Sequence, residues 1–559
     1  MAAVPLNLPT TITVKVGAQE FRTTRGTRVK PFLRRFLPDI EPECLGAVVA
    51  NRLADLETPI ASDCELIPVT YASKEGARIY RATLAMLLSE AVARLFPGAR
   101  VQVGQSFGDA VFFEVIRETS LSTLDVEMLE VEIRAMIDRK EPIAVMRVPK
   151  EQAVEALLAS GATASADVVR TSRRPWVPLV TMGGRVHLWF QPLLPTAEGI
   201  LGFAVRPWEG GVVLVTPPAG RRDETPETMR DAESLYAVYR ETREWNLRIG
   251  VSSVPDLNRA VIDGTIGEVI RVAEALHERK LVTIADEIVG RRSCRLVTVA
   301  GPSSSGKTTF VKRLSMQLLA AGLRPKELNV DNYYVDRART PLDANGEPDF
   351  ECIESIDLDL LNSHLTALMR GEEVQTPRYS FPKGTREDKT VPMHLAPGEV
   401  LLMEGIHGLN DLLTQAVPSD HKFRLYVSAL TQLVIDGHNR VFTSDSRMVR
   451  RIVRDRLFRG YSAVQTIRMW PKVRAGEEKW IFPYQPLADA TFNSTLVYEP
   501  AVLKVFAERF LMEVPESAPE YVEAIRLLDF LDLFVPVFAA DVPATSILRE
   551  FVGGSAFRY

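Results

Sequence analysis

One nine-residue stretch limits what this chain can fold into more than any other: Gly301-Pro-Ser-Ser-Ser-Gly306-Lys307-Thr308-Thr309. It follows Leu296-Val-Thr-Val-Ala300, a short apolar run rich in β-branched residues. It precedes Phe310 to Leu319, where apolar residues at 310, 311, 314, 318 and 319 keep helical spacing. A G-x-x-x-x-G-K-T run between a strand and a helix is a phosphate loop. Its glycines let the backbone wrap until successive N–H groups face phosphate oxygens. Gly301, Ser303, Ser304, Ser305, Gly306, Lys307, Thr308 and Thr309 are therefore the expected nucleotide cradle. Lys307 would bridge the β- and γ-phosphates of ATP or GTP, and Thr308 would place its hydroxyl on Mg²⁺. Elsewhere such Gly and Ser residues would merely make a loop; the flanking strand and helix give that reading little weight. The loop does not name the acceptor, because switch GTPases, motors and small-molecule kinases share it.

The residues around it narrow the choice. Val400-Leu-Leu-Met-Glu404 is an apolar strand ending in a carboxylate, where an acid orients Mg²⁺ or its water. Leu328-Asn-Val-Asp331 reads as another strand ending in an acid. An acid at a strand's carboxyl end lies at the ligand crevice of an open α/β sheet, where it can take a proton from an attacking hydroxyl. Solvent at Glu404 and an Asx-turn at Asp331 are the plainer alternatives. Arg447, Arg450, Arg451 and Arg454 share one helical face at i, i+3, i+4 and i+7, with Arg459 beyond them. Such a stripe is ordinarily a solvated face. Beside a phosphate loop it reads as a lid whose guanidiniums neutralise a transferring phosphoryl group.

At 559 residues the chain is too long for one core, which at roughly 100–200 residues per domain suggests three or four. The net charge of -5 gives no general attraction to nucleic acid. Cys44, Cys64, Cys294 and Cys352 form no C-x-x-C pair and fit a reducing, cytoplasmic setting. Met1 to Pro9 has no basic stretch before an apolar one, and no apolar run reaches the roughly 18 residues of a membrane span, so neither a secretory signal nor a membrane partner is expected. The expected order is a β-grasp-like unit over 10–70, an α+β unit over 76–215, a charged helical connector over 221–290, and an α/β unit with a mostly parallel sheet over 291–540. Strands are read at Thr11–Val16, Leu66–Thr70, 101–103, 110–115 and 212–216, and helices at Val29–Phe36 and Tyr80–Leu95.

Five segments in order carry a family resemblance: Gly301 to Thr309, Asp331-Asn-Tyr-Tyr334, Pro377-Arg-Tyr-Ser-Phe-Pro-Lys-Gly-Thr-Arg386, Glu404-Gly-Ile-His407, and Arg447 to Arg459. Residues 295–500 resemble the uridine kinase and phosphoribulokinase family of P-loop kinases. The resemblance implies transfer of the γ-phosphoryl of ATP or GTP to a ribose 5′-hydroxyl, with uridine or cytidine the expected acceptor. It implies Asp331 as general base and Tyr334 beside the sugar. Tyr379, Phe381 and Arg386 match the nucleoside-binding loop. Among the arginines, Arg454 and Arg459 are expected at the transferring group, and Arg447 and Arg450 at the substrate. Family members usually have Asp after that Tyr and His three residues after that Phe; here Ser380 and Gly384 stand there. Glu351 stands where the family offers Asp to the ribose. The base preference is thereby left open, and phosphoribulokinase- or pantothenate kinase-like acceptors stand as alternatives.

Residues 11–70 resemble a TGS domain. Residues 76–215 resemble the second domain of threonyl-tRNA synthetase, through Tyr80-Arg-Ala-Thr-Leu-Ala-Met-Leu-Leu88, Leu95-Phe-Pro-Gly98 and Val101-Gln-Val-Gly104. That domain edits mischarged tRNA with a His-x-x-x-His pair and a later Cys and His. Here Tyr80 and Leu84 occupy the paired places, residues 65–293 contain no Cys, and His187 and His277 are the only histidines before the α/β unit. This half is therefore expected to be a scaffold or ligand-sensing module. An RNA-linked nucleotide sensor is the rival reading of the whole chain, and self-association is left open.

Overall fold

The computed structural model describes residues 9–108, 110–218, 220–224, 233–343, 346–380 and 382–558. At its centre Leu296–Ala300 is buried at all five positions, because strands flank it on both edges and helices cover both faces. Parallel neighbours extend the sheet in the order Arg324–Asn329, Glu399–Glu404, Leu296–Ala300, Lys422–Ser428, Ala490–Asn493. Parallel strands buried on both faces read as continuous apolar runs, which is why Leu296–Ala300 and Val400–Met403 are legible as strands. All carboxyl ends open on one edge, the side on which such sheets bind ligands. The strand expected to end at Asp331 stops at Asn329, and Asp331 lies in a short 3₁₀ turn, Val330–Tyr333. Asn329 Oδ1 accepts from the Asp331 N–H at 2.8 Å and so turns the chain over the sheet edge.

The helix after the phosphate loop, Lys307–Ala320, buries Phe310, Val311, Leu314 and Leu318; Leu319, expected on that face, is 55% exposed. The helices Val254–Ile262 and Ile266–Gly290 add Val254, Leu257, Ile270, Leu281 and Ile284 to the same hydrophobic core. Ile547, Leu548 and Phe551 join it from the other end of the chain. The packed core thus runs wider than the 291–540 segment.

The first sheet has the order Gln19–Thr24, Thr11–Val16, Cys64–Thr70, Cys44–Val49, Arg52–Ala54, with Val29–Phe36 packed on it through Phe32 and Leu33. Its two central strands are parallel, the β-grasp pattern. In the next unit the helix Lys74–Leu95 lies with a four-stranded antiparallel sheet, Ala204–Trp208, Gly211–Val215, Ala110–Ile116, Arg100–Phe107. A further three-stranded sheet, Arg185–Leu188, Trp176–Met182, Ala144–Pro149, has no counterpart in the sequence reading. Ala144–Pro149 has no buried residue and hence no alternating signal. No described helix is long and apolar enough to cross a membrane.

Candidate active site

The phosphate loop turns through two left-handed residues, Ser304 at φ 59° and Gly306 at φ 82°. Gly306 is required twice over, since a Cβ there would sit 2.4 Å from Ile547 Cγ2. Lys307 lies inside the loop and donates to the Gly301 and Pro302 carbonyls at 2.9 and 3.1 Å. Burial lowers its pKa, while Glu404, Asp331 and Glu550 oppose that shift. Three carboxylates therefore act on one ammonium.

Thr308 Oγ1 donates to Glu404 Oε1 at 2.9 Å, so the two residues expected at a metal are adjacent. Burial pushes the Glu404 carboxyl up to about 7, with Lys307 pulling it down. Burial also raises Asp331, against the charges of Lys307 and Arg459. Surplus buried carboxylate is costly without a cation. The hydroxyl and carboxylate are the hard oxygen donors that Mg²⁺ prefers. Among the described residues no group of three or more His, Cys, Asp or Glu is arranged to hold a metal alone. A nucleotide-borne Mg²⁺, completed by phosphate and water, fits this donor set.

The arginines divide into two groups. Arg447 and Arg450, expected at the substrate, are only 2% and 1% exposed and face the underside of the phosphate loop. Arg447 donates to the Ser303 carbonyl at 3.0 and 3.1 Å and pairs bidentately with Glu477. Arg450 donates to the Ser304 carbonyl at 3.3 Å and the Ser494 carbonyl at 3.0 Å, and pairs with Glu499. Every guanidinium nitrogen of both is engaged, which corrects the expectation: they brace the loop. Arg451 reaches the Ser303 hydroxyl at 2.9 Å. Arg454 pairs with Asp455 at 2.9 Å; Arg459, 54% exposed, is 3.8 Å from Asp455, and its charge reaches Asp331.

On the acceptor side, Tyr334 is buried with its ring 5.7 Å from that of Tyr379. Arg386 donates to the Tyr333 and Tyr334 carbonyls at 3.0 and 3.1 Å and pairs with Asp357 at 3.1 Å, so it fixes the loop. Burial pushes Glu351 up to about 7, and Glu477 adds to the rise. Phe381 lies outside the described residues. Gly384, at φ 70°, closes the hairpin joining Tyr379–Ser380 to Thr385–Arg386. That left-handed turn accounts for glycine at this place.

Sequence reasoning missed three acids. Glu477 and Glu499 are the counter-ions of Arg447 and Arg450, and no local pattern marks them. Glu550, from the short helix Arg549–Val552, accepts from the Thr309 N–H at 3.1 Å and Thr309 Oγ1 at 2.7 Å. A carboxylate of the chain itself thus caps the N-terminus of the phosphate-loop helix.

The profile described as "Phosphoribulokinase / Uridine kinase family" matches residues 296–498. A uridine kinase of Deinococcus deserti is 30% identical over 211 residues, 37% of this chain and 91% of that protein. A uridine kinase of Aeromonas hydrophila is 30% identical over 164 residues, 28% of this chain and 74% of that protein. The N-terminal region is similar to a threonine–tRNA ligase of Symbiobacterium thermophilum, 27% identical over 192 residues, 33% of this chain. The chain spans only 30% of that ligase. Because it covers nearly the whole of one uridine kinase at 30% identity, and the family profile spans the phosphate loop, this chain, a kinase, belongs to the phosphoribulokinase/uridine kinase family.

Proposed function

We propose that this kinase transfers the γ-phosphoryl group of ATP to the 5′-hydroxyl of a nucleoside, uridine or cytidine. The observation that carries the reading is the meeting of Lys307, Asp331 and the Thr308–Glu404 pair at the carboxyl ends of adjacent parallel strands. The loop amides and Lys307 hold the phosphates. Arg447 and Arg450 keep the loop in shape from below. Asp331 accepts the proton that leaves the acceptor hydroxyl as the new P–O bond forms. Thr308 and Glu404 would hold a hydrated Mg²⁺, which would supply electrostatic relief at the phosphates. Arg459, and Arg454 beside it, oppose the negative charge that develops on the transferring group. Tyr334, Glu351 and Tyr379 form the acceptor wall.

The test is a panel of uridine, cytidine, purine nucleosides, ribulose 5-phosphate and pantothenate, assayed with ATP or GTP and Mg²⁺. Faster phosphorylation of a pyrimidine nucleoside than of the others is the expected result. Preference for a sugar phosphate or pantothenate would replace the acceptor, and hydrolysis with no acceptor phosphorylated would favour a nucleotide sensor.

A further inference from the structure

A cavity of about 160 Å³ lies between the N-terminal half and the kinase half, and none of its lining residues belongs to the phosphate loop. Four arginines line it: Arg78, Arg81, Arg440 and Arg526. The two lining carboxylates are already committed, Asp445 to Arg526 at 2.6 Å and Asp529 to Arg174. Arg78 pairs outside the lining with Glu523 at 3.2 Å. Arg81 and Arg440 are left without an ion pair among the described residues. The contacts of Arg440 are with neutral groups, Gln105 Oε1 at 3.3 Å, the Ser106 hydroxyl and the face of Phe442 at 4.9 Å, with the Asp445 charge acting on it from the lining. The Arg81 Nε is buried with no hydrogen-bond partner. Burial, with the Arg81 charge adding to it, pushes Arg440 down to about 10.

Neither the Arg81 nor the Arg440 guanidinium has a carboxylate paired to it among the described residues, and Asp445, committed to Arg526, offsets the burial of Arg440 only in part. Trp189 adds a second unmet donor: it is 4% exposed, and its indole Nε1–H is buried without a partner among the described residues. The remaining wall is largely apolar and aromatic, with Phe113, Leu214 and Phe530. An apolar space of about 150 Å³ takes up one benzene ring, so the body that fits here is a single ring or its aliphatic equivalent.

We propose that this cavity binds a small organic anion, its ring-sized body against Phe113, Trp189 and Leu214 and its carboxylate or phosphate between Arg81 and Arg440. Guanidinium recognises both anions bidentately, so the chemistry is shared and the two sources are separated by experiment.

Titration of the 559-residue chain with phenyl phosphate and with benzoate, followed by calorimetry, tests the proposal, with neutral benzyl alcohol as control. Saturable binding of at least one aromatic anion, and none of benzyl alcohol, is expected. The anion that binds more tightly identifies the headgroup. Arg81 has no partner to lose, so Arg81→Gln should fold normally, and loss of one charged hydrogen-bond donor should weaken binding at least about tenfold. Ala85→Phe, which fills the cavity, should abolish it. Binding that Arg81→Gln leaves unchanged belongs to another site and overturns the proposal, as does failure of both anions to bind the wild-type chain.

Discussion

Asp331 shows how one residue's chemistry depends on where the turn leaves it. The Asn329 side chain turns the backbone, and burial raises the Asp331 carboxyl above the usual aspartate range. A raised pKa makes the carboxylate a better proton acceptor and moves the pH at which it ionises upward. The acid limb of the kcat profile should therefore lie above the ordinary aspartate range. Asp331→Asn should remove that limb and lower kcat by about 10²–10⁴-fold, with little change in ATP affinity. Turnover within a few-fold of wild type would assign the proton transfer to another group.

At the scale of elements, the helix Thr443–Arg454 and the turn after it do two jobs with one residue type. Arg450 and Glu499 are both 1% exposed and mutually paired, so Arg450→Met leaves a buried carboxylate uncompensated. Breaking such a pair costs about 3–5 kcal/mol, which urea unfolding would register. Arg459→Ala, at a half-exposed position, should change stability by less than about 0.5 kcal/mol, yet lower kcat more than it raises KM. Equal effects of the two variants on stability and turnover would erase the division. The short helix Arg549–Val552 supplies the second test. Glu550 places negative charge at the helix N-terminus where nucleotide phosphate is expected, next to the Thr309 amide. Glu550→Gln keeps an acceptor for Thr309 but removes the charge. It should lower the KM for ATP by about three- to tenfold, the range of one helix-terminus charge effect. An unchanged or higher KM would make Glu550 a structural cap only.

For the molecule as a whole, the two halves are joined by packing as well as by chain. Leu157, Val168, Val169 and Leu188 of the second unit share a core with Val297, Val299 and Phe310 at the phosphate loop. Ser165 donates to buried Asp436 at 2.8 Å across the same boundary. The places of the resemblance's editing pair are structural here. Tyr80 donates its hydroxyl to the Gly202 carbonyl at 2.7 Å, and Leu84 is fully buried. With no thiol between residues 65 and 293, the 559-residue chain should not hydrolyse seryl-tRNA above a no-enzyme control. Release of serine on a par with an editing synthetase would overturn that.

What the sequence alone determined was local. Leu296–Ala300 declared itself a strand because burial on both faces demands an unbroken apolar run. The glycines and Lys307 declared the loop because its backbone path and phosphate chemistry need those residues at that spacing. Asp331, Thr308 and Glu404 were legible as candidates because each closes or follows a strand of that sheet. The arginine stripe was legible as a helix face, but its direction was not. Whether Arg447 meets phosphate or Glu477 depends on a residue 30 positions away, and Arg450 on one 49 away. Glu550 reaches Thr309 across 241 positions. Such partners leave no periodicity or spacing for a sequence to display. Only the packed fold decides them, because only there does burial make each charge find its counter-charge.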